Sequence, residues 1–173
     1  DIEAVSSSTF DKVILKSRNA TEKGGAIYLG SGDLVLSESD ILENIAKYGG
    51  AVYADRGGSI SLSSGTINGN MVTEDGNGAG IYLAEGSTLM LSGDPDFGGT
   101  GIIKNDDDED VLSMTSNGKA AGNFAMQEDY EGDELNGGMN YPKKDDKYYA
   151  RQDIYIAGYN QTSDENPVYA ASL

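Results

Sequence analysis

A six-residue segment returns three times along this chain: Gly24-Gly25-Ala26-Ile27-Tyr28-Leu29, Gly49-Gly50-Ala51-Val52-Tyr53-Ala54 and Gly78-Ala79-Gly80-Ile81-Tyr82-Leu83. Its tyrosines stand 25 and then 29 residues apart. Asp153-Ile154-Tyr155-Ile156 is a weaker copy further on. Two other pieces recur between the copies. One is a short alternating run: Asp33-Leu34-Val35-Leu36-Ser37, Ser59-Ile60-Ser61-Leu62-Ser63 and Thr88-Leu89-Met90-Leu91-Ser92. The other sets Asn after apolar residues, ending at Asn19, Asn44, Asn70 and Asn105 with spacings of 25, 26 and 35. A fixed period of this size means stacked units that bury a continuous core only by packing on their neighbours.

Period-2 alternation with β-branched residues marks strands, and no stretch carries the long 3.6-residue period of a helical repeat. Three short strands per repeat of about 25 residues fit one coil of a solenoid. The expected fold is therefore all-β, a right-handed parallel β-helix with three sheets and about four to five coils. Inward positions are Ile27, Val52 and Ile81, with Leu34/Leu36 and Ile60/Leu62, because alternate strand residues point to opposite faces. Gly and Ala ahead of each tyrosine suit a corner where chain passes close over chain. Asn19, Asn44, Asn70 and Asn105 suit a tight bend and are expected to stack as a structural amide ladder. Tyr28, Tyr53 and Tyr82, at one coil position, are expected to stack as well. β-sandwiches and propellers also use Gly-rich strands, but neither needs Gly-Gly-Ala-apolar-Tyr at coil spacing.

The chain reads as a single β-helix domain over 1–173. Regular coils occupy 10–114, a long loop insertion 115–152, and the chain returns to the β-helix over 153–173. The insertion follows Asp106-Asp107-Asp108-Glu109-Asp110 and holds a second acidic cluster, then Lys143-Lys144 and Tyr148-Tyr149. Long loops on one face of a solenoid are common places for binding function.

Charge and composition remove whole classes of function. Asp and Glu number 29 against 12 Lys and Arg, a formal charge of −17. Such a field repels nucleic acid and anionic membranes, which need a basic face. Cys and His are absent. A disulfide framework, a Cys/His zinc site and a Ser-His-Asp triad are thereby excluded. No apolar run approaches the ~20 residues that cross a bilayer, so membrane insertion by this segment is not expected. No secretory leader opens the chain, which reads as a mature protein or an excised part of one.

Several residues could carry chemistry. Asp106, Asp107, Asp108 and Asp110 could ligate Ca²⁺ through carboxylate oxygens, although the run matches neither the EF-hand loop nor calcium β-roll repeats. A solvated acidic turn is the competing reading. Tyr28, Tyr53 and Tyr82, and separately Tyr148 and Tyr149, could receive sugar rings, with stability by aromatic stacking as the alternative. No other cofactor is expected. Paired carboxylates raise the question of a glycosidase or a polysaccharide lyase. Lys104 beside Asp106–Asp108 is the only lyase-like grouping, and a short solenoid offers a short groove.

The pairing of Gly-Gly-Ala-apolar with an upstream apolar-x-x-Asn resembles the repeats of chlamydial polymorphic membrane proteins and related bacterial adhesin-like surface proteins. The matching residues are Ile41-Leu42-Glu43-Asn44-Ile45-Ala46 leading into Gly49-Gly50-Ala51-Val52-Tyr53, and Asn19-Ala20-Thr21 leading into Gly24-Gly25-Ala26-Ile27-Tyr28. The resemblance covers about residues 10 to 105. The apolar position is Ile or Leu rather than Phe, and the third copy reads Gly-Ala-Gly. It implies an exported, surface-displayed β-helix used in adhesion, with no catalytic residue carried over. The expected function is a non-catalytic structural or adhesive module of a secreted bacterial surface protein, extracellular, with a host or neighbouring-cell protein or glycan as partner. Self-association through open coil ends is part of that expectation. A carbohydrate-binding β-helix, Ca²⁺-dependent or not, stands second, and a polysaccharide-active enzyme third.

Overall fold

The computed structural model describes the backbone of residues 2–4, 7–98, 102–104, 110–112, 122–127, 143–144 and 147–157. Side chains are described over 7–73, 75–98, 122–125 and 152–157. Every described element is a strand, and parallel sheets wind into a β-solenoid of about three turns. The chain is a parallel β-helix, slightly shorter than the four to five coils expected.

The tyrosine sheet stacks Ile2–Ala4, Ile27–Leu29, Val52–Ala54, Ile81–Leu83 and Ile154–Ile156 in that order. Its register puts Ile27, Val52, Ile81 and Ile154 in one column and the four tyrosines in the next. A second sheet stacks Ser8–Asp11, Gly32–Ser37, Gly58–Leu62 and Thr88–Leu91. Leu34, Ile60 and Leu89 form an inward column there, each at most 2% exposed. A third sheet stacks Ile14–Lys16, Ser39–Leu42 and Gly65–Asn68, placing Leu15, Ile41 and Ile67 inside. Burying such a side chain fully is worth roughly 1.5–3 kcal/mol, so the three aliphatic columns are the main force closing the coils.

Each turn also holds a strand that the repeat does not announce. Ile45–Tyr48, Met71–Asn77 and Phe124–Gln127 pair in parallel as a fourth sheet, just past the Asn corner. The register aligns the small inward series Ala46, Val72, Ala125 and beside it an apolar column of Ile45, Met71 and the fully buried Phe124.

Corners are set by residues with positive φ. Ser17, Glu43 and Gly69 occupy one corner, at φ 55°, 58° and 68°, immediately before Arg18, Asn44 and Asn70, which lead into the fourth sheet. The tight bend expected at the Asn thus turns on its predecessor, in the left-handed conformation. A second corner uses Gly24, Gly49 and Gly78, at φ 63°, 65° and 69°. A Cβ on Gly49 would run into the Val52 carbonyl oxygen, so glycine is required there on steric grounds as well as conformational ones.

Three expectations need correction. First, the register sets Arg18, not Asn19, opposite Asn44: the Arg18 N–H donates to Asn44 Oδ1, and Asn19 bridges Ile45. Asn19 is exposed and stands outside the ladder. Coil spacing is 26 residues at Asn19–Ile45 but 25 at Lys23–Tyr48, so one residue is dropped between them, after the corner. Second, Ile102–Lys104 is not a coil strand. It pairs antiparallel with Asp110–Leu112, so the regular coils do not run through to 114. Asn105 lies outside the described residues. Third, the departure from the helix is not one loop over 115–152. Phe124, inside that span, stands in coil register opposite Met71. Lys147–Arg151 runs antiparallel along Phe124–Gln127, with Lys143–Lys144 beside it. Ile154–Ile156 then rejoins the tyrosine sheet, within the return expected over 153–173, whose residues from 158 on lie outside the described ones.

Candidate functional site

The Gly-Gly-Ala corner fixes where each tyrosine points. After the close approach of two coils, Ile27 or Ile81 turns inward, fully buried, and the next residue must face out. Tyr28, Tyr53, Tyr82 and Tyr155 therefore form one outward column. Ring centroids are 5.8 Å apart for Tyr28–Tyr53, 4.8 Å for Tyr53–Tyr82 and 5.0 Å for Tyr82–Tyr155, with interplanar angles of 26°, 12° and 30°. Tyr48 meets Tyr82 edge-on at 5.6 Å. Such aromatic pairs add about 0.5–1.5 kcal/mol each beyond the area they bury.

A charged pair grips the first two rings. The Lys23 ammonium lies 4.4 Å from the Tyr53 ring centre and 5.8 Å from that of Tyr28. It also stands 3.4 Å from Asp55 Oδ2, which accepts the Tyr28 hydroxyl at 2.8 Å. Burial alone would raise the Asp55 pKa, but the Arg56 N–H, the Tyr28 hydroxyl and the Lys23 charge outweigh it and hold the carboxyl below its usual value. Burial likewise works to lower the Lys23 pKa, and hydrogen bonding and charge attraction from Tyr53 and Asp55 reverse the sign, so it ends raised. Tyr28 is raised by its bond to Asp55 and then by burial. Burial, ahead of its neighbours' charges, raises Tyr82. All these shifts stabilise one arrangement: ammonium, carboxylate and neutral phenol.

Beside this cluster lies an open cleft of about 470 Å³ lined by Asn19, Ala20, Thr21, Glu22, Lys23 and Tyr28. The stack limits what the tyrosines can offer a ligand. Tyr53 has Tyr28 on one face and Tyr82 on the other, and Tyr82 is sandwiched between Tyr53 and Tyr155. Centroid separations near 5 Å leave no room for a sugar ring between them. Tyr53 and Tyr82 present edges and hydroxyls outward rather than stacking platforms.

Under the opposite corner runs the amide ladder. Asn44 Nδ2 donates to Asn70 Oδ1, and Asn70 Nδ2 donates to Asn123 Oδ1, both at 2.9 Å. Each Nδ2 also donates to a backbone carbonyl in the coil before it: Leu15, Ile41 and Ile67 for Asn44, Asn70 and Asn123. All three side chains are fully buried. At the far end Asn123 Nδ2 donates to Asp153 Oδ1 at 2.9 Å. Buried amides are tolerated because every described buried side-chain polar atom has a partner.

The remaining candidates are not gathered here. Tyr148 and Tyr149 sit in Lys147–Arg151, opposite Gln127 and Met126 in the fourth sheet; their side chains lie outside the described residues. Asp106, Asp107 and Asp108 also lie outside them. Asp110 is described only as backbone, paired with Lys104. Among the described residues no three carboxylates cluster as a cation site, and no helix is long and apolar enough to cross a membrane.

Lys23, Tyr48, Asp55 and Asn123 are the members that sequence reasoning missed. Lys23 directly precedes a Gly-Gly corner and Asp55 follows Tyr53 by two, positions that coil geometry makes adjacent. Asn123 carried no signal, because the apolar residue that should closely precede it, Phe97, lies 26 positions earlier in the sequence. No protein-family model, curated protein or solved structure matches the chain.

Proposed function

We propose that this chain is a non-catalytic structural and adhesive module of a secreted bacterial surface protein, acting as a stiff spacer that presents its outer faces to a partner. One observation carries the reading. Three sets of recurring side chains meet their counterparts one coil away: aliphatic columns inside, Asn44–Asn70–Asn123 at one corner, and Tyr28–Tyr53–Tyr82–Tyr155 outside. Residues so engaged serve propagation of the solenoid rather than convergence on a reacting atom. The resemblance to adhesin-like repeats and the acidic surface support the extracellular placement, as does a fold that holds without disulfides. The partner in this reading is a protein or glycan on a host or neighbouring cell. Thr88–Leu91, paired on one side only among the described residues, is an edge through which copies could also associate.

The test combines turnover and binding. The chain is incubated with soluble and insoluble polysaccharides while reducing ends and unsaturated products are followed, and it is applied in parallel to a glycan array and to whole cells. Binding to cells or glycans without product release is expected. Sustained product formation would replace the reading with a polysaccharide-active enzyme. Repeating the array with EDTA separates a Ca²⁺-dependent lectin, resting on Asp106–Asp110, from adhesion through the sheets.

A further inference from the structure

The outer face of the second sheet differs in chemistry from the rest of this acidic chain. Its register places Thr9, Val35, Ser61 and Met90 in one outward column and Asp33, Ser59 and Thr88 in the column beside it. Asp11 stands next to Ser37 in a third column, which Ser63 and Ser92 continue just beyond Leu62 and Leu91. No Lys, Arg or Glu occurs in these columns, and their two acids lie on the first two strands. Apart from Asp11 and Asp33, charge lies at the borders, where Lys12 pairs with Glu38 at 3.8 Å and Arg56 with Glu85 at 3.5 Å.

The hydroxyls are mostly uncommitted. Ser7 donates to Asp33, and Ser63 reaches the Leu36 carbonyl at 3.4 Å. Among the described residues, Thr9, Ser59, Ser61, Thr88 and Ser92 spend no hydroxyl on a protein partner. Between them Met90 is 65% exposed and Val35 37%. A hydroxyl both donates and accepts. The face is thus an array of short two-way hydrogen-bonding groups interleaved with apolar ones, repeated every 4.7–4.9 Å along the solenoid by strand spacing.

We infer that this face docks an uncharged, polyhydroxylated polymer, a neutral polysaccharide. The inference rests on the adhesive reading above and names the partner and the surface. Charge argues against the alternatives. A formal charge of −17, to which Asp11 and Asp33 on this face contribute, repels nucleic acids, anionic membranes and acidic glycans, and the face offers a cationic partner only those two acids among its hydroxyls. Area argues against a second copy: four strands about five residues long cover roughly 300 Å², well short of the ~800 Å² per partner of a stable protein interface. A polysaccharide presents the same mixture of hydroxyls and C–H groups and repeats along its length, so many equivalent sites offset a weak single contact.

The test measures depletion of the chain from solution by particles of cellulose and of β-1,3-glucan, with polygalacturonate beads as the anionic counterpart. Retention on the neutral particles, insensitive to added salt, is expected, with none on the anionic beads. Ser61→Arg at the centre of the face and Met90→Arg on its last strand should each weaken retention about tenfold. Thr73→Arg, exposed on the fourth sheet, should leave it unchanged. Circular dichroism identical to the parent's certifies each variant, and Thr9→Arg replaces any that fails to fold. Undiminished retention of Ser61→Arg and Met90→Arg, or absence of retention on both neutral particles, overturns the inference. If such variants still bind cells or a glycan array, the adhesive reading stands on another face; loss of all binding by the parent sinks both.

Discussion

The side-chain amide of Asn44 donates to Oδ1 of Asn70 at 2.9 Å, and the same oxygen accepts the Asn44 backbone N–H at 2.9 Å. Two residues 26 positions apart are thus joined twice through one buried atom. Asn70 repeats the pattern towards Asn123, with its side chain and its own N–H both donating to Asn123 Oδ1. Each asparagine satisfies the corner of the coil before it, where the αL residue turns the chain away from regular pairing.

Asn70→Ala should destabilise the chain by about 3–5 kcal/mol. The change removes the acceptor of two Asn44 donors and the donor to Ile41 and Asn123, and each orphaned buried group costs ~1–3 kcal/mol. Asn19→Ala, at an exposed position, should shift stability by no more than about 0.5 kcal/mol. Urea denaturation of both variants checks the contrast, and equal effects would dismantle the ladder as a stabilising device.

Tyr53→Ala should cost about 3–5 kcal/mol, as other large aromatic truncations do, because Tyr53 is 6% exposed and touches a ring on either side. Tyr53→Phe keeps the stack and should cost under about 1 kcal/mol. Thermal unfolding separates the two. Losses of similar size would mean that the hydroxyl, and not the stacked rings, holds this column.

The Lys23–Asp55–Tyr28 cluster has a defined pH dependence. Asp55 has a depressed pKa, so its contribution is present above the unfolded value of 3.8 and is lost as pH falls through the lower folded value. Lys23 and Tyr28 have raised values, so their contributions are present below 10.5 and 10.0 respectively and fade as pH climbs through the folded values. Both Lys23 and Asp55 are substantially solvated, at 41% and 33% side-chain exposure, so screening limits the ion pair to about 1 kcal/mol or less. Asp55→Asn should lower the melting temperature near neutral pH and converge with the parent below the carboxylate range. A difference constant across pH would assign the loss to packing instead.

How far the sequence reached can be traced residue by residue. Its period was enough to say that Tyr28, Tyr53 and Tyr82 share one position on successive coils, and that Leu34 and Ile60 lie inside. Equivalent side chains in a solenoid must return to the same angular place, so recurrence in one dimension becomes contact in three. Asn44 and Asn70 were legible for the same reason. Periodicity could not see a one-residue slip at Arg18 and Asn19, because coils of 25 and 26 residues look alike until hydrogen bonds fix the register. It could not join Phe97 to Asn123 either. They stand 26 positions apart in the sequence, which hides the pair from any count of spacing. The grip of Lys23 and Asp55 on the tyrosines, and the hydroxyl-rich face between two ion-paired borders, depend on which side chains meet across coils. Coil stacking decided those, since single charged residues leave no period to read.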